Sequence, residues 1–365
     1  MDLTPEQIRA AREAGIIPDA QAEALLARRG EVQPDTPEAA PLIGDEENLR
    51  FLRSFSDIFI TIGVGLVMAG VFSTASALDP RGLGWGLFGA ALAFWALSEF
   101  FGRVRRAHLP TLVLSLGFAL ALGGGLAQFY ADRLVSVGRI GADWFVPAAL
   151  FLAGMALYYW RIRLPFCLAL LAWGTVVFVF GVSGSLGLIG GLWTVIALLL
   201  LCAVGAFAAA LAYDVRDPER VMRWSDNGFW LHTVASPLLL LSFLALGAKL
   251  TLGVDMSDLQ SLRDLPDNVD RLSVWMGVVI VAAMALGLAV NRRVFVVSTL
   301  LYALVLVTYG LSKTDLSPSL VASTGLLVVG GLVVFLGVGW HPARRALLRL
   351  LPDWKIFPRP LRTDI

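Results

Sequence analysis

The sequence predicts an all-α protein: a polytopic bundle of about ten transmembrane helices with a small cytoplasmic helical hairpin at its N-terminus. Composition predicts it first. Of 365 residues, 57% are hydrophobic and only 16% are charged, where ordinary globular chains carry about 25% charged residues. The mean hydropathy is +0.75. The apolar residues also fall in blocks bounded by charges or turn residues, the pattern a bilayer imposes rather than a soluble core. Finally, the basic residues gather at alternate block ends.

A helix crossing the hydrocarbon needs roughly 20 apolar residues. Stretches free of Asp, Glu, Lys and Arg run over 58–78, 82–98, 109–131, 144–160, 164–213, 227–248, 272–291, 294–312 and 316–343. The fifth is too long for one helix, and Ser183-Gly184-Ser185 interrupts it where a tight turn is expected. Dividing it there gives ten spans. The block from Gly82 reaches span length only by including Glu99 and the neighbouring phenylalanines.

Lys and Arg prefer cytoplasmic loops. With the N-terminus inside, twenty-two of the 29 basic residues fall in cytoplasmic segments and seven in external ones. This bias predicts both ends inside. The first fifty residues lack an apolar signal region, so the first span is expected to act as its own insertion signal.

The expected organisation is a cytoplasmic hairpin at 1–30, an acidic disordered linker at 31–50, a membrane domain at 51–343 and a basic amphipathic tail at 344–365. Thr4-Pro5-Glu6-Gln7 carries helix-start signals, and Gly15 closes that helix. A second helix ends at Arg28-Arg29-Gly30, its basic residues at the negative dipole end. The pair exposes Ile8, Ile16, Leu25 and Leu26, and is too small to bury them alone. Docking on the membrane domain, docking on a protein partner, self-association and a simple appendage all stand as readings. Residues 31–47 hold three prolines and six acids. In the tail, Arg344, Arg345 and Arg349 alternate with leucines, as in an interfacial helix held by anionic headgroups. The external segment 254–271 has five aspartates without EF-hand spacing, which reads as a solvated loop.

Charge at membrane depth is costly and marks candidate sites. Asp57 opens the first span and Glu99 closes the second, where Arg53 and Arg103 are positioned to pair with them. No span carries a charge near its midpoint, unlike many ion-coupled carriers. The seventh span holds His232 and Ser236 on one helix face, with Pro237 freeing a carbonyl near Thr233. That polar group is a candidate ligand site or a hydrogen-bonded interface. The preceding connection carries Asp214, Asp217, Arg220, Arg223 and Asp226. It reads as an ion-paired cap, a binder of anionic headgroups or phosphate, or a charged topogenic loop. Gly82/Gly86 and Gly187/Gly191 have the spacing of packing faces, and Gly123-Gly124-Gly125 is the place where an unwound segment is expected.

No hydrolase, metalloprotease, P-loop or intramembrane-protease motif occurs, and no metal or cofactor is implied. Cys167 and Cys202 lie inside apolar blocks and read as small buried hydrophobes. Basic runs with interleaved aromatics, the footprint of nucleic-acid binding, are missing from the sequence.

Several short elements resemble a class of bacterial multi-pass membrane proteins, the DUF2157 class. They are the Gly15-Ile16-Ile17 turn, Arg50-Phe51 leading to Asp57, Asp217-Pro218-Glu219-Arg220, Phe229-Trp230-Leu231-His232, and Gly339-Trp340-His341-Pro342. The first hairpin departs from that class, which often has an Ala-Asn-Trp element where this chain has Thr74 to Asp79. The resemblance implies a bacterial inner membrane and assigns no catalytic residue. The expected function is a non-enzymatic scaffold or sensor with a partner-binding hairpin. A transporter or flippase-like protein for a neutral or lipidic substrate is the alternative.

Overall fold

The computed structural model describes residues 55–77, 80–130, 144–217, 223–253 and 269–350, besides Ala11 and Ala14. The chain divides into two units, 1–47 and 48–365. The expected hairpin at 1–30, the linker at 31–50, most of the 254–271 loop and the tail beyond 350 lie outside the described residues.

Within the second unit the described chain is all-helical. The helices are α1 Phe55–Ser76, α2 Pro80–Glu99, α3 His108–Phe129, α4 Phe145–Ile162, α5 Phe166–Ser185 and α6 Leu192–Arg216. They continue as α7 Arg223–Leu252, α8 Val269–Val290, α9 Val294–Ser312, α10 Pro318–Val338 and α11 Trp340–Leu350. The first ten are long and apolar enough to cross a membrane, as the sequence predicts. Helices suit this solvent because each closes its own backbone hydrogen bonds, which hydrocarbon cannot do for it. Ten crossings place the start of α1 and the end of α10 on the same side.

The span with Glu99 reaches full length through one π-helical turn, Phe100–Val104, continuing α2. There Gly102 lets the turn settle against Thr111; a Cβ would stand 3.0 Å from its Cγ2.

Neighbouring helices pair as hairpins, and two spans collect further partners. Helix α3 touches α1, α2, α4 and α5, while α7 touches α5, α6, α8 and α9. These two are the most buried spans. The first half packs on Phe94, Leu114, Phe118, Met155 and Tyr158; the middle packs on Leu199, Ala203, Val234 and Leu238. A smaller cluster of Ile280, Ala303 and Val329 joins α8, α9 and α10. Helices α1 and α10 keep most of their apolar surface outward, Leu327 being 76% exposed, as lipid-facing spans do.

Four expectations are corrected. The turn in the long apolar stretch is not Ser183-Gly184-Ser185, which stays helical to the end of α5. The chain reverses over 186–191, with Gly187 at φ +69°, a left-handed conformation that glycine adopts without strain. Gly187 and Gly191 therefore form no packing face. Gly123-Gly124-Gly125 does not unwind, because α3 runs unbroken through it. Those glycines serve close packing instead, Gly125 lying under the Phe88 ring and Gly124 against Leu87. Lastly, the final span stops at Val338, and Gly339 separates it from α11.

At the end of the bundle holding Gly187, Lys313 stands 3.6 Å from Asp270, and its ammonium lies 4.9 Å from the Tyr309 ring centre. Tyr309, then Asp270, hold that amine above its ordinary range by stabilising the charged form.

Candidate functional site

Buried polar chemistry gathers at the opposite, arginine-rich end, in three clusters. The most buried is built on Asp214, near the C-terminus of α6 and 5% exposed. Its Oδ2 lies 2.9 Å from His232 Nε2, on α7. A carboxylate only accepts, so Nε2 carries the hydrogen. Arg292, 2% exposed, reaches the same carboxylate from the α8–α9 connection, with Nε 3.3 Å from Oδ2 and Nη2 against Oδ1. Nη2 also donates to the carbonyl and the hydroxyl of Ser225, at 3.1 and 3.2 Å. One carboxylate thus binds α6, α7 and the head of α9.

Local structure explains how the arginine arrives there. Asn291 closes α8 at φ +58°. The amide of Arg292 donates to the Gly287 carbonyl at 2.8 Å, and that of Asn291 to Leu288 at 3.2 Å, the paired bonds of a Schellman ending. This reversal turns Arg292 back into the bundle. Gly228 on α7 lies directly against Asp214 and leaves no room for a Cβ. The His232 ring sits between Phe207 of α6 and Phe295 of α9, with centroids 5.4 and 5.7 Å away. His232 lies eight residues along α7 from Trp224, where that apolar span starts, about 12 Å along the helix axis at 1.5 Å per residue.

The second cluster surrounds Tyr158, fully buried on α4. Its hydroxyl donates to Ser98 Oγ at 2.7 Å and stands 2.9 Å from Ser115 Oγ. Phe118 stacks on its ring at 4.5 Å and Trp95 meets it edge-on at 5.5 Å. Above it Glu99 accepts from Arg161 at 2.6 Å and from Arg103 at 3.4 Å. Tyr158→Phe is expected to cost only about 1 kcal/mol, because Ser98 and Ser115 also reach the carbonyls of Phe94 and Thr111. A melting curve in detergent reads this.

The third cluster holds α11. Trp340 Nε1 donates to Asn291 Oδ1 at 2.7 Å, and Arg344 Nε to the Leu288 carbonyl at 2.9 Å. The Arg293 guanidinium lies 5.6 Å over the Trp340 ring.

The structure places the expected site residues as follows. His232 and Asp214, expected in two separate sites, share one. Asp217 is buried too, its carboxylate 3.3 Å from the Ser225 amide. The charged connection is therefore partly an internal structure. Arg220 lies outside the described residues; Arg223 opens α7, and Asp226 is half-buried in its first turn. Ser236 is fully buried, and its hydroxyl has no hydrogen-bond partner among the described residues. Neither hydroxyl serves the Pro237 gap, since Thr233 bonds the Phe229 carbonyl at 3.0 Å. Glu99 pairs more closely with Arg161 than with the expected Arg103. Asp57 is half-buried at the start of α1, and its expected partner Arg53 lies outside the described residues.

Sequence reasoning missed Arg292 by counting it as one topogenic arginine among many. The signal was Asn291 before it, a residue suited to a left-handed helix ending. Tyr158 and its serines gave no signal above ordinary span composition. No protein-family model, curated protein or solved structure matches this chain.

Proposed function

We propose that this integral membrane protein is a non-enzymatic scaffold or sensor of a bacterial inner membrane, recruiting a partner through residues 1–30. The arginine-rich end is its cytoplasmic face, with both termini inside, which the distribution of basic residues supports. Resemblance to the DUF2157 class supports the bacterial setting. The observation that carries the functional reading is the Asp214–Arg292–His232 cluster. Its buried ionic groups pair with one another and fix three helices. A protein that presents a fixed surface needs such an arrangement, whereas charge reserved for a substrate would face a path through the bilayer.

One observation favours the transporter reading: the Ser236 hydroxyl, without a hydrogen-bond partner among the described residues, lies one turn from His232 beside Pro237, inside α7. Proteoliposomes separate the two. The full chain is expected to give no flux of fluorescent phospholipid or neutral solute above empty vesicles. In membranes, deleting residues 1–30 is expected to abolish a defined cross-linked species while leaving the melting temperature unchanged. Flux that His232→Ala reduces tenfold would instead establish transport.

A further inference from the structure

We propose that α11 is a binding site for anionic phospholipid headgroups, and that its occupancy is transmitted to the Asp214–Arg292 pair through Trp340 and Asn291.

The faces of α11 carry the first half. Trp340 and Arg344 are buried against the end of α8, and Leu347 and Leu348 are half-buried. His341, Arg345 and Arg349, spaced by four, fall along one exposed line. The eleven residues contain no carboxylate. None of the ion pairs among the described residues uses Arg345 or Arg349. A single residue, Gly339, separates the helix from the end of the α10 span, and it packs on the ends of α8 and α10. Its exposed guanidinium groups therefore stand where lipid phosphates lie, and the fork of donors on each matches a phosphate. A phospholipid of the same leaflet fits this place better than a soluble phosphate, because the half-buried leucines beside the arginines suit acyl chains.

Connectivity carries the second half. An eleven-residue helix is marginal on its own, and α11 is pinned by two side-chain bonds at its first turns. One of these ends on Asn291, the left-handed residue that sets the direction of Arg292. A headgroup that holds α11 down keeps Trp340 on Asn291, and Asn291 in turn keeps Arg292 on Asp214. The ligand favours the latched state by the difference in its affinity for the two states.

Full-length protein in zwitterionic detergent, titrated with phosphatidylglycerol or phosphatidylcholine, tests both halves. Native mass spectrometry should show selective retention of phosphatidylglycerol. Each basic residue at a lipid surface gives roughly a fivefold factor, so Arg345→Gln with Arg349→Gln should weaken retention about 25-fold. Lysine at both positions should restore most of it. Equal retention by the glutamine variant, no preference for the anionic lipid, or displacement by inorganic phosphate overturns the site. For transmission, phosphatidylglycerol should slow hydrogen exchange over residues 228–232 in the parent protein. In Trp340→Phe, which keeps the arginines, the lipid should bind without slowing it. Slowing that is absent in the parent, or equal in Trp340→Phe, overturns the coupling.

Discussion

Arg292→Leu is expected to lower stability by about 3–5 kcal/mol, the usual effect of removing one partner from a buried ion pair. The size follows from what remains. Asp214, 5% exposed, keeps only His232 as a side-chain partner within the cluster, and the Ser225 carbonyl and hydroxyl lose their shared donor. Both the lost interaction and the uncompensated carboxylate then count against the fold. A second substitution separates these contributions. Adding Asp214→Asn removes the stranded charge, so the double variant should recover at least half of the loss, the non-additivity expected of contacting residues. Reversible unfolding in mixed micelles gives both values. A single-variant loss below about 1 kcal/mol, or strictly additive losses, would mean that the three groups do not act as one cluster.

Gly228→Ala is expected to be nearly as damaging although it adds one methyl group. That methyl would overlap Asp214 Oδ1 and stand 3.3 Å from both the Ala210 carbonyl and Arg292 Nη2. None of these is the loose end of a flexible chain: one is backbone, and the other two grip each other. Overpacking of this kind costs about 1–3 kcal/mol, and the upper end applies because relief requires α6 and α7 to separate. At Gly205, in the same helix as Asp214, a methyl meets nothing within 4 Å, so Gly205→Ala is the matched control and should be close to neutral. Thermal unfolding of the two variants side by side decides the matter.

How much of this was legible in the sequence depends on the range of the physics. The spans were readable because hydrocarbon demands an unbroken apolar run, a local property of about twenty residues. Even the awkward block ending at Glu99 was correctly extended into its phenylalanines. Turn positions were less legible, since Ser183-Gly184-Ser185 tolerates a helix end as well as a loop, and only Gly187 needed the left-handed conformation. Gly123 to Gly125 misled for a related reason: glycine that permits unwinding also permits the approach of Phe88 and Leu87, and packing decided. The site was visible only in halves. His232 and Asp214 stood out as polar groups near span ends, but they are 18 residues apart in the chain. Arg292 lies 78 residues beyond Asp214. Asn291 marks where the helix reverses but not what Arg292 would meet there, while the next residue, Arg293, stays exposed beside Trp340. Pairing across that distance is a property of the assembled helices.

That distance also bears on the order in which the protein is made. A ribosome delivers Asp214 seventy-eight residues before the arginine that neutralises it. In the interval, burying the carboxylate without that arginine is costly, which favours keeping it in water at the bilayer surface. On that ground the charged end of the α6–α7 hairpin is expected to stay hydrated until the head of α9 supplies Arg292. The electrostatic closure thus waits for the α8–α9 connection and can precede the two apolar spans that follow it, α9 and α10.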